Sequence, residues 1–288
     1  MKNLILLFSV LMMSACAIAV APTPSLTATS TVTNTATIPP TATPSPSLTP
    51  SPTAVPNGPC DNPLMPMAVG NHWIYRVATA RGERVYNLKV LEIRDIGNLV
   101  AVVEFGNEAE SVQESVICLD GAIENFPLFV MDMLFADVLN KFMNTYHDKG
   151  LYSPSHASFV ENGWVLYWQA FYLTEDSAGI ADPLGGPSLI LVQSSPIDLS
   201  FEMDGTREVV TVPAGEFPQA LKVSHTFTVS ATLGANGGHL TLETTQWYEP
   251  YVGLVRAQVD TASYTMGGQK AGIPLQSVLE LVEFSPGK

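Results

Sequence analysis

Leu221-Lys222-Val223-Ser224-His225-Thr226-Phe227-Thr228-Val229 puts Leu221, Val223, His225, Phe227 and Val229 on one side of an extended chain, and Lys222, Ser224, Thr226 and Thr228 on the other. A period of two with one apolar face is the pattern of a strand lying over a core. It sits in a longer stretch, Asp204 to Asp260, that supplies its turns. Upstream, Thr211-Val212-Pro213-Ala214-Gly215-Glu216-Phe217 has proline where a type I turn wants its fixed φ, and glycine at the close. Downstream, Asn236-Gly237 predicts a hairpin turn, and Glu249-Pro250-Tyr251-Val252-Gly253 predicts a longer corner.

The same grammar repeats outward. Gly70-Asn71 punctuates a turn, after which Trp73, Tyr75 and Val77 share one face of a strand. Further strands are expected at Arg84 to Asp95, Leu99 to Phe105 and Ser111 to Leu119. Their separators are Arg81-Gly82, Ile96-Gly97-Asn98, Gly106-Asn107 and Asp120-Gly121, the turn chemistry of hairpins. Ser188 to Gln193, Ile197 to Met203 and Val278 to Phe284 read as strands, and Leu173 to Ser188 as loop. The aromatic run Trp164, Tyr167, Trp168, Phe171 and Tyr172 fits either a helical face or a strand, and its composition favours strand. The fold class is mainly β: a strongly curved antiparallel sheet or open β-barrel with one packed α-helix.

That helix is expected over Pro127 to His147. Leu128, Met131, Leu134, Phe135, Val138, Leu139 and Phe142 recur at steps of three and four, with Asp132, Asn140, Lys141 and Asn144 opposite. Pro127 suits a first helical position, and Lys149-Gly150 a stop. The apolar stripe is broad, since Phe129, Val130 and Met133 widen it, which predicts a helix packed over most of its circumference against the concave face of the sheet, as a lid over a ligand site or, alternatively, as a plug in a filled core.

The first 57 of 288 residues belong to no core. Met1-Lys2-Asn3, an apolar run from Leu4 to Met13, and Ser14-Ala15-Cys16 have the form of a bacterial signal peptide over residues 1–16 ending in a lipobox-like sequence, with Cys16 as the lipidation site. Met13 stands where such boxes usually have leucine. Two alternatives stay open: cleavage after Ala21, and an uncleaved helix from Leu4 to Ala21. All three place the body outside the cytoplasm; the expected lipidation at Cys16 anchors it at the membrane of a bacterial cell envelope. Residues 17–57 form a stalk: from Ala21 to Asn57, 25 of 37 residues are Pro, Thr or Ser and none is charged, so there is little to bury. Extended as polyproline II, that stretch would reach on the order of 100 Å, and as coil about 35 Å.

Residues 58–288 are expected to form a single β-rich domain. It carries 27 acidic against 12 basic side chains, because Lys2 is the lone ionisable residue before Asp61. An acidic body of this kind repels phosphate backbones, which argues against nucleic acid as a partner. With Cys16 assigned to lipid, Cys60 and Cys118 remain as an even pair in a disulfide-permissive compartment and are expected to bond; the alternative is two separate buried thiols.

Little points to catalysis. The five histidines, 72, 147, 156, 225 and 239, show no metal-ligand spacing, and no H-E-x-x-H, C-x-x-C or G-x-S-x-G is present. Neither a metal nor another cofactor is expected. Ser155-His156 lacks a third member, and adjacent residues on a strand would point apart. Glu175, Asp176 and Asp182 depart from the spacing of a calcium loop.

Gly70 to Tyr75, Thr211 to Phe217 and Trp247 to Arg256 together resemble the TapB-like group of bacterial extracytoplasmic proteins. The resemblance implies a strongly curved antiparallel sheet or open barrel akin to lipoprotein-carrier folds, with no established catalytic residues to carry over. Pro127 to Leu199 takes no part in it. The function expected is that of a membrane-tethered extracytoplasmic lipoprotein, not an enzyme, binding a hydrophobic ligand or an envelope component. The expected ligand cavity is lined by Trp73, Tyr75, Met131, Phe135, His225 and Phe227. A structural or protein-interaction module without a small-molecule ligand is the alternative.

Overall fold

The computed structural model describes residues 60, 62–124, 129–135, 145–161, 165–174, 179–180, 189–191, 195–233 and 236–287. The expected signal peptide, Cys16 and the stalk therefore lie outside the described residues, as do Pro127, Trp164, Glu175, Asp176 and Asp182.

The chain opens with a meander: β1 His72–Thr79, β2 Gly82–Asp95, β3 Leu99–Gly106, β4 Ser111–Leu119 and β5 Ala122–Ile123. Then come α1 Phe129–Leu134, β6 Thr145–Gly150, α2 His156–Glu161, β7 Leu166–Thr174, β8 Gly179–Ile180 and β9 Leu189–Leu191. The last third is β10 Pro196–Met203, β11 Arg207–Val212, β12 Gly215–Leu233, β13 Asn236–Glu249, β14 Gly253–Met266, β15 Gln269–Gly272 and β16 Ser277–Ser285. All of them join one sheet, every described pairing is antiparallel, and the main strand order is β5-β4-β3-β2-β1-β16-β14-β13-β12-β10-β7-β6.

The ladder does not close into a barrel, yet its ends meet. Ile123 in β5 and Ser153, just beyond β6, form a single bridge, with N–H to O=C distances of 2.9 and 3.0 Å. A sheet whose first and last strands come within one hydrogen-bonded step must be strongly curved, as the sequence predicts. Asn62 fastens that seam from inside. Its Nδ2 donates to Gly121 O at 2.9 Å and Pro154 O at 2.6 Å, while its Oδ1 accepts from Leu64 N, Met65 N and the Ser153 hydroxyl. Fully buried and saturated, one amide thus replaces the strand pairing that would have closed the barrel.

Cys60 and Cys118 are disulfide-bonded, with Cα atoms 5.1 Å apart across 58 residues of sequence. The bond pins the start of the body to β4. Replacing Cys118 by serine is expected to lower stability by about 4 kcal/mol, from the chain entropy restored to the unfolded state. Denaturant melts of both proteins under oxidising conditions check this, and reductant should narrow the gap.

Turn chemistry explains the strand ends. Asp120 and Gly121 have φ of 49° and 77°, the two positive values that the tight β4–β5 hairpin requires. At the β13–β14 corner Tyr251 and Gly253 have φ of 66° and 96°. The expected Asn236-Gly237 turn is displaced: both residues pair within the β12–β13 ladder, and the chain reverses between Leu233 and Asn236. Gly238 serves a different purpose, because a Cβ there would lie 2.2 Å from Thr265 O.

The middle of the chain corrects three expectations. The helix expected to Pro127–His147 is a helix at Phe129–Leu134, while Thr145–Gly150 is a strand paired with β7. The open edge of β7 offers Thr145, Tyr146 and His147 a ladder of hydrogen bonds, and that pairing overrides weak helical periodicity. Asp132, expected on a solvent-facing side, is buried at 4% exposure. His156 begins α2 rather than following Ser155 along a strand. A second helical segment thus joins the one expected, and among the described residues no helix is long and apolar enough to cross a membrane. Leu166–Thr174 is the strand its composition favours.

Candidate functional site

The concave side of the sheet is built by alternation. β1 turns Trp73, Tyr75 and Val77 inward, β12 turns Val223, His225 and Phe227 inward, and all six are buried. Into this space α1 inserts itself. Phe129, Val130, Met131, Met133, Leu134 and the following Phe135 are buried on every side of the helix. Phe129 stacks on Phe105 at 4.4 Å, and Phe135 meets Phe227 edge-on at 6.1 Å. Of the six residues expected to line a cavity, Trp73, Tyr75, Met131, Phe135 and Phe227 thus belong to one continuous core, where α1 occupies the bowl of the sheet, and the buried His225 packs against that core at Phe201. A void of about 10 Å³ lies among Met65, Met67, Trp73, Tyr75, Leu88 and Leu254, room for roughly one water.

A polar stripe runs through this apolar interior, in which His225, expected at a cavity, meets Thr244, Gln246 and Tyr248, which were not expected there. The His225 Nδ1 lies 3.2 Å from the Thr244 hydroxyl, Gln246 Nε2 donates to that same hydroxyl at 3.2 Å, and the Tyr248 hydroxyl donates to Gln246 Oε1 at 2.5 Å. Tyr75 donates to Leu254 O at 3.2 Å, and Trp73 donates its indole N–H to Val252 O at 2.6 Å. The signal was present in β13, where Leu240, Leu242, Thr244, Gln246 and Tyr248 occupy one phase and are all buried.

Electrostatics keep the stripe neutral. Burial pushes the hydroxyls of Tyr75, Tyr152 and Tyr248 far above the ordinary tyrosine range. Desolvation pushes His225 down to about 3, and its ring lies 4.6 Å from Phe201. An uncharged imidazole sealed under aromatic rings and bonded to a threonine is poised for packing rather than proton transfer. Among the described residues no group of three His, Cys, Asp or Glu side chains is placed to hold a metal ion.

The aromatic run of β7 divides between the two faces. Trp168 turns inward, stacks on Phe201 at 5.1 Å and donates to Tyr152 O, whereas Tyr167 and Phe171 point outward and stay exposed.

Fold and interior together define a mainly β protein: one curved, open antiparallel sheet folded around a short helical plug. Two solved structures are similar to it. One is of a candidate lipoprotein from Parabacteroides distasonis, 19% identical, with a TM-score of 0.46, covering 78% of this chain and 99% of that one. The other is of a candidate exported protein with a YmcC-like fold from Bacteroides fragilis, 18% identical, with a TM-score of 0.46, covering 77% and 98%. No family model and no curated protein matches the chain.

Proposed function

We propose that the chain is a membrane-tethered extracytoplasmic binding module of the bacterial envelope, engaging an envelope component through the outside of its sheet and performing no catalysis. The observation that carries the location is the Cys60–Cys118 bond, since disulfides persist in oxidising compartments. It lies directly beyond a Pro/Thr/Ser-rich stalk and a signal-like N-terminus ending in Cys16. The resemblance to TapB-like extracytoplasmic proteins fits the same reading. Binding is assigned to the outer surface because α1 fills the bowl around Met131 and Phe135.

A second reading places a hydrophobic ligand beneath α1. It is favoured by the soft interior, where Met65, Met67, Met131, Met133 and Met203 are all buried and able to repack around a guest.

The tether is tested with Cys16→Ala. The lipid is held by one thiol and the stalk has little to bury, so the variant should leave the membrane fraction while keeping its unfolding midpoint. A variant still in the membrane fraction would assign anchoring to an uncleaved N-terminal helix. A wild-type chain found in the cytoplasm would defeat the proposal.

A further inference from the structure

We propose that the outer face of β7, β10, β12 and β13 is a platform for a polysaccharide without anionic groups. This rests on the reading of the chain as an envelope-facing binding module, and names the surface and the class of ligand.

Register brings the platform together in three rows. Phe171 stands opposite Asp198, Asp198 opposite Thr228, and Thr228 opposite Thr241. The next row is Gln169, Ser200, Thr226 and Glu243, and the third is Tyr167, Glu202, Ser224 and Thr245, the last of which is buried and donates its hydroxyl to Asp260, closing that corner of the grid. Every position is therefore an aromatic ring, a hydroxyl, an amide or a carboxylate. With strands about 4.8 Å apart and alternate residues about 6.7 Å apart, the grid measures on the order of 14 Å by 13 Å.

The chemistry matches that of a sugar polymer. Hydroxyls both donate and accept, as sugar hydroxyls do, and carboxylates accept charge-assisted bonds from them. Tyr167 and Phe171 are 58% and 43% exposed along one border, and their negative ring faces suit the C–H faces of pyranose rings. None of the twelve positions carries a cation; at the borders Lys149 stands opposite Phe171 and Lys222 is paired with Glu208, while Asp198, Glu202, Glu243 and the net charge of −14 disfavour phosphorylated, sulfated or uronate polymers. A protein partner fits poorly. The central row, Gln169, Ser200, Thr226 and Glu243, holds no apolar or aromatic side chain to anchor a protein interface. The two rings of the grid are also separated by Gln169, and carboxylates stand where an interface core would be apolar.

Affinity electrophoresis of the full chain in nonionic detergent tests this, through gels containing hydroxyethyl cellulose, dextran, glycol chitosan, dextran sulfate or polylysine. Retardation is expected with at least one of the first three and not with dextran sulfate. Tyr167→Ala and Phe171→Ala should each weaken it about tenfold, with unfolding midpoints unchanged because both rings are exposed. Asp198→Asn with Glu202→Gln preserves shape and should weaken it too. The platform is overturned by no retardation with any of the three, by retardation that the substitutions leave intact, or by retardation with polylysine alone, which would make the face a site for cationic polypeptides. Because the assay is blind to location, a chain that fails here but fractionates with membranes defeats the platform and leaves the tethered module standing. A chain that binds but fractionates with the cytoplasm does the reverse.

Discussion

Replacing Met131 and Phe135 together by alanine should cost the protein about 5 kcal/mol of stability or more, since a buried Met→Ala change costs about 2–5 kcal/mol and a buried Phe→Ala change about 3–5 kcal/mol. Both side chains are almost wholly buried, and Phe135 meets Phe227 edge-on on the opposite wall of the bowl. They lie one helical turn apart, so the cavities merge and the loss need not be the sum of the single losses. A loss of this size is comparable with the whole stability of many domains, so the single variants are the quantitative test, by denaturant melts with the slope monitored. The same melts weigh the second functional reading. If α1 is a plug, a hydrophobic fluorescent probe should bind the variants more strongly as the core loosens. If α1 covers a ligand site, probe binding should fall while the midpoint stays near wild type, and the hydrophobic-ligand reading would then displace outer-face binding.

The contrast between β1 and α1 shows what the sequence could reveal. Trp73, Tyr75 and Val77 alternate with the less buried His72, Ile74 and Arg76, and large apolar residues at a period of two translate directly into an inward face. The stripe around Met131 was equally legible as apolar and helical. That Asp132 lies inside as well depends on the bowl surrounding the helix, which is set by strands distant in sequence. Asn62 is the extreme case, because an asparagine near a proline reads as an ordinary turn residue. Two of its five hydrogen bonds, from Leu64 N and Met65 N, are those of such a turn, but the three to Gly121, Pro154 and Ser153 exist only once β5 and the segment after β6 have been brought to it. In β7, composition identified a strand, but which aromatic rings face out follows from pairing with β10, where Phe201 receives Trp168 while Tyr167 and Phe171 stand opposite Glu202 and Asp198. Thr244 and Gln246 were missed for a related reason. Polar residues on a buried phase break the alternation, and their partners come from neighbouring positions on the sheet rather than from water.

His225 makes the strongest pH prediction, with a sign that follows from its burial. In the unfolded chain its imidazole takes up a proton as pH falls below about 6.5, whereas in the folded protein desolvation delays protonation to about 3. Its contribution is therefore complete above about pH 6.5 and is lost as pH falls from there toward 3. At about 1.4 kcal/mol per unit, the loss across that window is on the order of 5 kcal/mol. Within the stripe Tyr75 and Tyr248 are held neutral far beyond this range, as is Tyr152, and Thr244 and Gln246 do not titrate; the buried acid of the bowl, Asp132 on α1, is present in both proteins compared. Carboxylates elsewhere also lose or gain stability over the same pH range, so the measurement is a comparison. Denaturant melts at pH 7, 5.5 and 4.5 are run on the wild type and on His225→Asn, which keeps a hydrogen-bonding atom near Thr244 and cannot become charged. The wild type should lose stability more steeply than the variant, by up to about 1.4 kcal/mol per pH unit below 6. Parallel pH profiles for the two proteins would mean that the imidazole titrates alike in the folded and unfolded chains, and would exclude a sealed interior around His225.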